Sequence, residues 1–350
     1  MIRLETKRVR NFVVGTHGGL YQFSLNGDFE IENGRLLDEG YHYGLSVDAD
    51  QDSDSAAVFS YRGGPGRQNV LPREIHVWNF DGSSMEMGEK IPLHENAADI
   101  HQISGHGRNG MLITNSHLNS IDRWDTKKGF LDRIHINDYQ TDINHINSVL
   151  PVDDLVAVML HNFRKLESQI VLLEDSGSSL TELGRFSLKD YCCHNIGIID
   201  HWLYINASSD QSIVKIDLRT LKEVKRTGFE AHTKGLCSDG EYLFAGMSDC
   251  ASRAERVRSR GWVNVLDPES LELIKSVSLS VPERDTAVGN VNEVRLLDGS
   301  DIFDRPHGVN VEALRNSVNV DQNQVAIACR RAWIRTVDRI RRTVGTVLAK

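Results

Sequence analysis

CHNIGIID (193–200), HWLYINASS (201–209), SIVKIDLRT (212–220) and EVKRTGFE (223–230) follow one another with only short polar breaks. Each is a run of alternating apolar and polar residues rich in Ile, Val, Leu and aromatics, the pattern of a β-strand. The breaks carry Asp, Asn, Ser and Gly, residues that turn a chain within two to four positions. Four such strands in succession describe one antiparallel meander. We designate its strands A to D.

The same order recurs on both sides. YHYGLSVDAD, AAVFSYRGG, EIHVWNFDGSS and MEMGEKIPL form one unit from Tyr41. IHQISGHG to FLDRIHIND, NHINSVLPV to TELGRFSLKD, and HTKGLCSDG to LELIKSVSL form three more. Five units of this length are the signature of a radial repeat, in which each unit buries its faces against its neighbours. The expected fold is all-β: a six-bladed β-propeller of four-stranded antiparallel blades, a form that leaves only short strand edges. FVVGTHGG, LYQFSLNG and DFEIENGRLL supply strands B, C and D of a sixth blade, whose strand A must come from the C-terminal side. Asn290–Gly299 (NVNEVRLLDG) and Arg305–Leu314 (RPHGVNVEAL) both qualify. The expected layout is thus one domain over 1–350. Residues 11–40 belong to the closing blade, 41–279 are five blades, 280–324 hold the closing strand, and 325–350 are a basic tail suited to a helix.

Composition bounds the rest. The chain has 350 residues, 40% hydrophobic and 25% charged, with a net charge of −9. That charge argues against a nucleic-acid partner, which needs a concentrated positive surface. No apolar run approaches the roughly 18 residues of a membrane span, and MIRLETKRVRNF lacks the apolar core of a signal peptide. The expected location is cytoplasmic, with no membrane partner. Five cysteines show neither a disulfide framework nor a CxxC pair. GTHGG at Gly15 lacks the Lys and Ser/Thr of a P-loop, and neither GxSxG nor HExxH occurs.

A histidine opens strand A in four successive units: His101, His145, His194 and His232, roughly every 44 residues. Strand A lines the channel of a propeller, so these four are expected to converge at one mouth. Neutral imidazoles suit zinc, iron or copper, and three or four around an open position make a catalytic metal site. A divalent transition metal (Zn, Fe or Mn) is therefore the expected cofactor. Asn144, Asn147 and Asn195 would orient the ligands, and Glu293 or His307 would add an acid–base group. A constant offset of 16 residues leads from each histidine to the end of strand B, giving His117, His161, Asp210 and Ser248 as an outer ring. His42 and Tyr43 hold the corresponding place in the unit from Tyr41.

The B-to-C loops emerge on the same face and are rich in arginine. Tyr61–Glu74 carries Arg62, Arg67 and Arg73; Ser248–Gly261 carries Arg253, Arg256, Arg258 and Arg260; His161–Ser168 carries Arg164 and Lys165. Arginine concentrated around one opening of an acidic protein points to a small or oligomeric anionic ligand. The substrate-binding set is then Arg62, Arg67, Arg73, His117, His161, Arg164, Arg253, Arg256 and Arg260.

From Asn11 to Leu279 the four-strand grammar resembles the six-bladed propeller superfamily, and RPHGV resembles the HG-plus-aliphatic strand openings of NHL-type and arylesterase-like members. The resemblance implies a ring of blades around a channel. The Asn and Asp pattern of the calcium-dependent arylesterases is missing, so their activity is not implied. Two functions fit: a metal-dependent lyase, hydrolase or oxygenase acting on an anionic substrate, or a non-catalytic module that binds a protein or an anionic ligand with the same face.

Overall fold

The computed structural model describes residues 8–49, 55–63, 73–94, 96–106, 110–137, 141–282 and 287–320. Six four-stranded antiparallel sheets form the ring. The inner strands of blades 2 to 6 are His42–Ala49, Ile103–His106, Ile146–Val152, Cys193–Ile199 and His232–Ser238. Blade 1 is closed by both ends of the chain. Its inner strand is Val291–Leu296, followed outward by Arg10–Thr16, Gly19–Leu25 and Ile31–Glu39. The closing pairs include Phe12 with Leu296 and Val14 with Val294.

Of the two segments suited to closure, Asn290–Gly299 supplies the strand and Arg305–Leu314 does not. Pro306 has no N–H for a ladder, and Gly308 adopts a positive φ of 68°. Asn310 then caps a helix over 311–320, its Oδ1 accepting from Ala313 N at 3.0 Å. Ala313, Leu314 and Val318 of that helix pack on the core between blades 4 and 5. RPHGV is therefore a turn, and His307 is exposed on the face opposite the strand-A beginnings. The tail expected to be helical lies outside the described residues, as does Arg67.

The core consists of six apolar clusters, one in each interface between adjacent blades. Alternation along a strand produces this directly. Val13 and Leu20 face blade 2, whereas Phe12 and Val14 face blade 6. Inner strands buried on both faces read as nearly continuous apolar runs. Outer strands such as Lys222–Gly228 are exposed, and their charged side chains protect the sheet edge.

One irregularity recurs around the axis. The inner strands of blades 1, 2, 4, 5 and 6 each carry a bulge, at Asn292, Gly44, Asn147, Asn195 and Lys234–Gly235. The bulged residue reaches the next blade. Asn147 Nδ2 donates to Cys193 O at 2.8 Å, Asn195 Oδ1 accepts from Gly235 N at 2.8 Å, and Asn292 Nδ2 donates to His42 O at 2.9 Å. Blade 3 does the same through Gln102 Oε1, which accepts from Val149 N at 3.1 Å. Blades 2 and 6 have glycine there because the next backbone is too close. A Cβ on Gly44 would lie 3.1 Å from the Gln102 backbone, and one on Gly235 3.1 Å from that of Glu293 and Val294.

Below the bulges the channel is filled. Arg295, with its side chain 2% exposed, lies 3.3 Å from Glu293, 3.6 Å from Asp304 and 3.9 Å from Asp301. Asp304 accepts from Val47 N at 2.6 Å and so fixes the segment that plugs this end. Replacing Asn195 by Ala leaves Gly235 N without its acceptor and Glu293 without its amide donor. The expected cost is about 3 kcal/mol, measured as a lowered denaturant midpoint with an unchanged m-value.

Candidate functional site

In blades 2, 5 and 6 the bulge turns a side chain toward the open end of the channel, whereas Val291 and Ile146, before the bulges of blades 1 and 4, stay in the core. Tyr43, His194 and Lys234 immediately precede or form a bulge, and His101 precedes Gln102. All four line a cavity of about 540 Å³ at the strand-A face. His17, His145, His161 and His232 complete its imidazole wall, and Arg164, Arg253 and Arg256 reach it from the B-to-C loops. The loop from Ser248 is fixed there, since Arg256 O accepts from Asn290 N at 2.8 Å and Ser259 Oγ donates to Asn290 Oδ1 at 2.5 Å.

The imidazoles touch in sequence around the wall. Ring centroids lie 4.5 Å apart for His101 and His145, 5.1 Å for His145 and His161, 5.0 Å for His161 and His194, and 6.2 Å for His194 and His232. Hydrogen bonds assign several tautomers. Ser208 Oγ donates to Thr233 O at 2.5 Å, so it accepts from His194 Nδ1–H at 2.9 Å. The Asp142 carboxylate accepts from His145 Nδ1–H at 3.2 Å. In both rings Nε2 keeps its lone pair. His161 is the reverse: its Nδ1 accepts from Phe163 N at 3.2 Å, leaving a proton on Nε2 of the neutral ring. His17 is fully engaged, with Nε2 accepting from the Tyr43 hydroxyl at 2.9 Å and Nδ1 donating to Asn290 O at 3.3 Å.

Burial and neighbouring charges hold five rings of this wall, His17, His101, His161, His194 and His232, below the ordinary imidazole range. Desolvation, then the Lys234 charge, holds His17 down to about 3 and His232 to about 4. Desolvation followed by the His145 charge holds His161 to about 3 and His101 well below the ordinary value. His194 is likewise far below, by desolvation and then Lys234. Lys234 itself is lowered to about 7, chiefly by desolvation, against the opposing pull of Glu293. Its ammonium lies 4.8 Å over the Tyr43 ring. Glu293 is held elsewhere, accepting from Asn195 Nδ2 at 3.0 Å.

The residues expected from sequence divide clearly. His101, His145, His161, His194, His232, Arg164, Arg253 and Arg256 come together at the cavity. Glu293 does not line it, and burial raises its carboxyl. Arg62 turns away, with Nε 3.0 Å from Asp38 and Nη2 donating to Glu39 O at 3.0 Å. Arg260 pairs with Asp249 at 2.8 Å, exposed to solvent. Arg73 and His117 lie beyond the lining, and His307 is on the opposite face. The 16-residue offset holds for His232 and Ser248, which are paired, and for His145 and His161, which share a backbone hydrogen bond. It fails for His194, whose partner is Asn206, because Asp210 lies in the turn that follows.

Of the lining residues Lys234, Tyr43, Asp142 and Phe163, sequence placed only Tyr43, beside His42, at a position facing the channel. A signal existed for the first two, since HTKG and YHYG each place a Gly inside a strand, the mark of a bulge. Among the described residues no group of three or more His, Cys, Asp or Glu is arranged to hold a metal ion. The Nδ1 atoms of His145, His161 and His194 and both nitrogens of His17 are directed to protein partners.

No family model matches the sequence, nor does any curated protein. Solved structures are similar in fold. A chain of the nidogen/laminin complex matches with a TM-score of 0.57 at 11% identity, covering 84% of this chain and 100% of that one. A protein of unknown function from Bacteroides caccae matches at 0.55 and 12%, covering 83% and 99%. The periplasmic gluconolactonase of Pseudomonas aeruginosa matches at 0.50 and 12%, covering 83% and 99%. Among the described residues no helix is long and apolar enough to cross a membrane. At these identities the likeness is one of architecture: the chain is a six-bladed β-propeller of the general form shared by NHL/laminin-type and gluconolactonase-like structures.

Proposed function

We propose that this protein is an enzyme that binds a small organic anion in the axial cavity and acts on it by proton transfer. The observation that carries this reading is Lys234, a cation buried in the cavity wall that Glu293 reaches only through space. Burying a charge costs several kcal/mol unless a counter-charge compensates it. An anion seated between Lys234 and Arg256, with Arg253 and Arg164 nearer the mouth, supplies that counter-charge. His145, held by Asp142, offers an Nε2 lone pair as general base, and His194, held by Ser208, an Nε2 acceptor whose basicity burial lowers. His161, neutral, offers its Nε2–H as a hydrogen-bond donor. A base beside hydrogen-bond donors and cations suits lyase or hydrolase chemistry, and the gluconolactonase is an enzyme of this fold. A non-catalytic anion-binding module would share the cavity and lack turnover.

Sulfate and acetate test the site, because neither changes charge between pH 6 and 8. Calorimetry of Lys234→Met is expected to show affinity for either ion reduced by about 30-fold or more, with the fold intact. The wild-type affinity should weaken by up to about tenfold per pH unit above about 7, since Lys234 must gain a proton to pair with the anion. Neighbouring Arg256, Glu293 and the imidazoles set that midpoint. The opposite trend, a stoichiometric Zn, Fe or Mn bound by His101, His145, His194 and His232 more tightly as pH rises, would replace the anion reading.

The ligand-free protein should also lose stability in acid. His17, His161 and His232 have folded-state values below the ordinary 6.5, so their contribution is full above pH 6.5 and is lost as pH falls toward 3 to 4. Thermal melts are expected to show this decline. Saturating sulfate should raise the melting temperature more at pH 5 than at pH 7.5, because Lys234, lowered to about 7, then carries its full charge.

A further inference from the structure

Three B-to-C connections are short turns of the same type, at Ser116–Leu118, Asn162–Arg164 and Ser208–Asp210. In the first and third only the following residue is left-handed, Asn119 with φ 54° and Gln211 with φ 53°. In blade 4 all three residues of the turn are left-handed, with φ of 59°, 50° and 61° for Asn162, Phe163 and Arg164. None is glycine, and consecutive left-handed L-residues are disfavoured by the clash of Cβ with the carbonyl oxygen. Such strain persists only where surrounding contacts over-determine it. Asn144 Nδ2 donates to Asn162 Oδ1 at 2.8 Å, Asn162 Nδ2 to Glu167 O at 2.8 Å, and Arg164 Nε to Ser209 Oγ at 3.0 Å.

The reversed hand carries an apolar ring into a polar opening. Phe163 lines the cavity, 37% exposed, with its centroid 4.4 Å from that of His145 at a 38° tilt and 5.7 Å from that of His161. The Nδ1 atoms of both imidazoles are already engaged, by Asp142 and by Phe163 N. On this side of the cavity the Phe163 ring therefore stands beside imidazoles that have only Nε2 left to offer. Tyr43 and Tyr61 add further rings, and Arg164 places a cation beside Phe163.

We infer that Phe163 is a specificity-determining residue, and that the anion taken by this cavity has a flat unsaturated body, an arenecarboxylate or a conjugated enoate, that stacks on its ring. This rests on the anion reading above. A planar π-system gains from offset or edge contact with surrounding rings, beyond the area it buries. A polyhydroxylated anion would leave its hydroxyls facing Phe163 without partners.

Calorimetry with acetate, benzoate, cyclohexanecarboxylate and galacturonate separates the possibilities. Benzoate should bind about tenfold or more tighter than acetate, and several-fold tighter than cyclohexanecarboxylate or galacturonate. Phe163→Ala should remove most of the benzoate preference while changing acetate affinity by about twofold or less. Phe163→Leu, which keeps apolar volume in the turn, should bring benzoate and cyclohexanecarboxylate close to parity. Acetate binding with no preference for benzoate, tighter binding of galacturonate, or an unchanged benzoate-to-acetate ratio in both variants overturns the inference and leaves the anion site standing. Failure of every carboxylate and of sulfate to bind overturns both.

Discussion

The bulge in the inner strands is the constraint on which the molecule depends. A propeller brings six strands to one axis, and their neighbouring backbones cannot hydrogen-bond to one another as a sheet would. The extra residue solves this locally, by turning an Asn, a Gln or a bare backbone toward the next blade. Gln102 joins blade 3 to 4, Asn147 joins 4 to 5, Asn195 joins 5 to 6, and Asn292 joins 1 to 2. Gly44 and Gly235 complete the circle by close approach. In blades 2, 5 and 6 the bulge also aims a side chain at the opening. Structure and site thus share one device in blades 2, 3, 5 and 6: the residue that stitches the ring sits beside a residue that lines the cavity, Tyr43, His101, His194 or Lys234.

That coupling explains what could be read from the chain. Strand periodicity and polar turns reveal the blades, because each inner strand is buried on two sides and each outer strand on one. The histidines are visible because they recur at blade spacing. Lys234 escapes a histidine-centred reading, since in blade 6 the bulge brings Lys234 to the cavity alongside His232. A fixed offset to strand B fails at His194 for a related reason: the ladder there pairs His194 with Asn206 across the bulge. Periodicity counts residues, and a bulge adds one that such a count leaves out.

The arginines show the reverse problem. Arg62, Arg164, Arg253, Arg256 and Arg260 look alike in sequence, yet local carboxylates decide which of them serve the cavity. Asp38 draws Arg62 back to blade 1, and Asp249 holds Arg260 in solvent. Arg253 and Arg256 face inward because their loop is tied to Asn290. Such pairings join residues far apart in the chain and carry no local motif. RPHGV fails similarly, because its turn conformation is selected by Pro306 and by the helix that Asn310 caps.

The axis finally has a polarity that bears on the ligand. At the plugged end three carboxylates, Glu293, Asp301 and Asp304, surround the single cation Arg295. Burial pushes the Asp301 and Asp304 carboxyls above the usual carboxylate range, with the Arg295 guanidinium opposing it. At the open end four cations, Arg164, Lys234, Arg253 and Arg256, line the cavity with two carboxylates, Asp99 and Asp142, and desolvation holds His101 and His194 well below the ordinary imidazole range. Protons can relieve a surplus of carboxylate, and deprotonation can relieve Lys234, but arginine holds its charge under all ordinary conditions. The fold closes its negative end with a plug of its own chain and leaves its positive end open to solvent, so the direction of charge along the channel and the direction of access are the same.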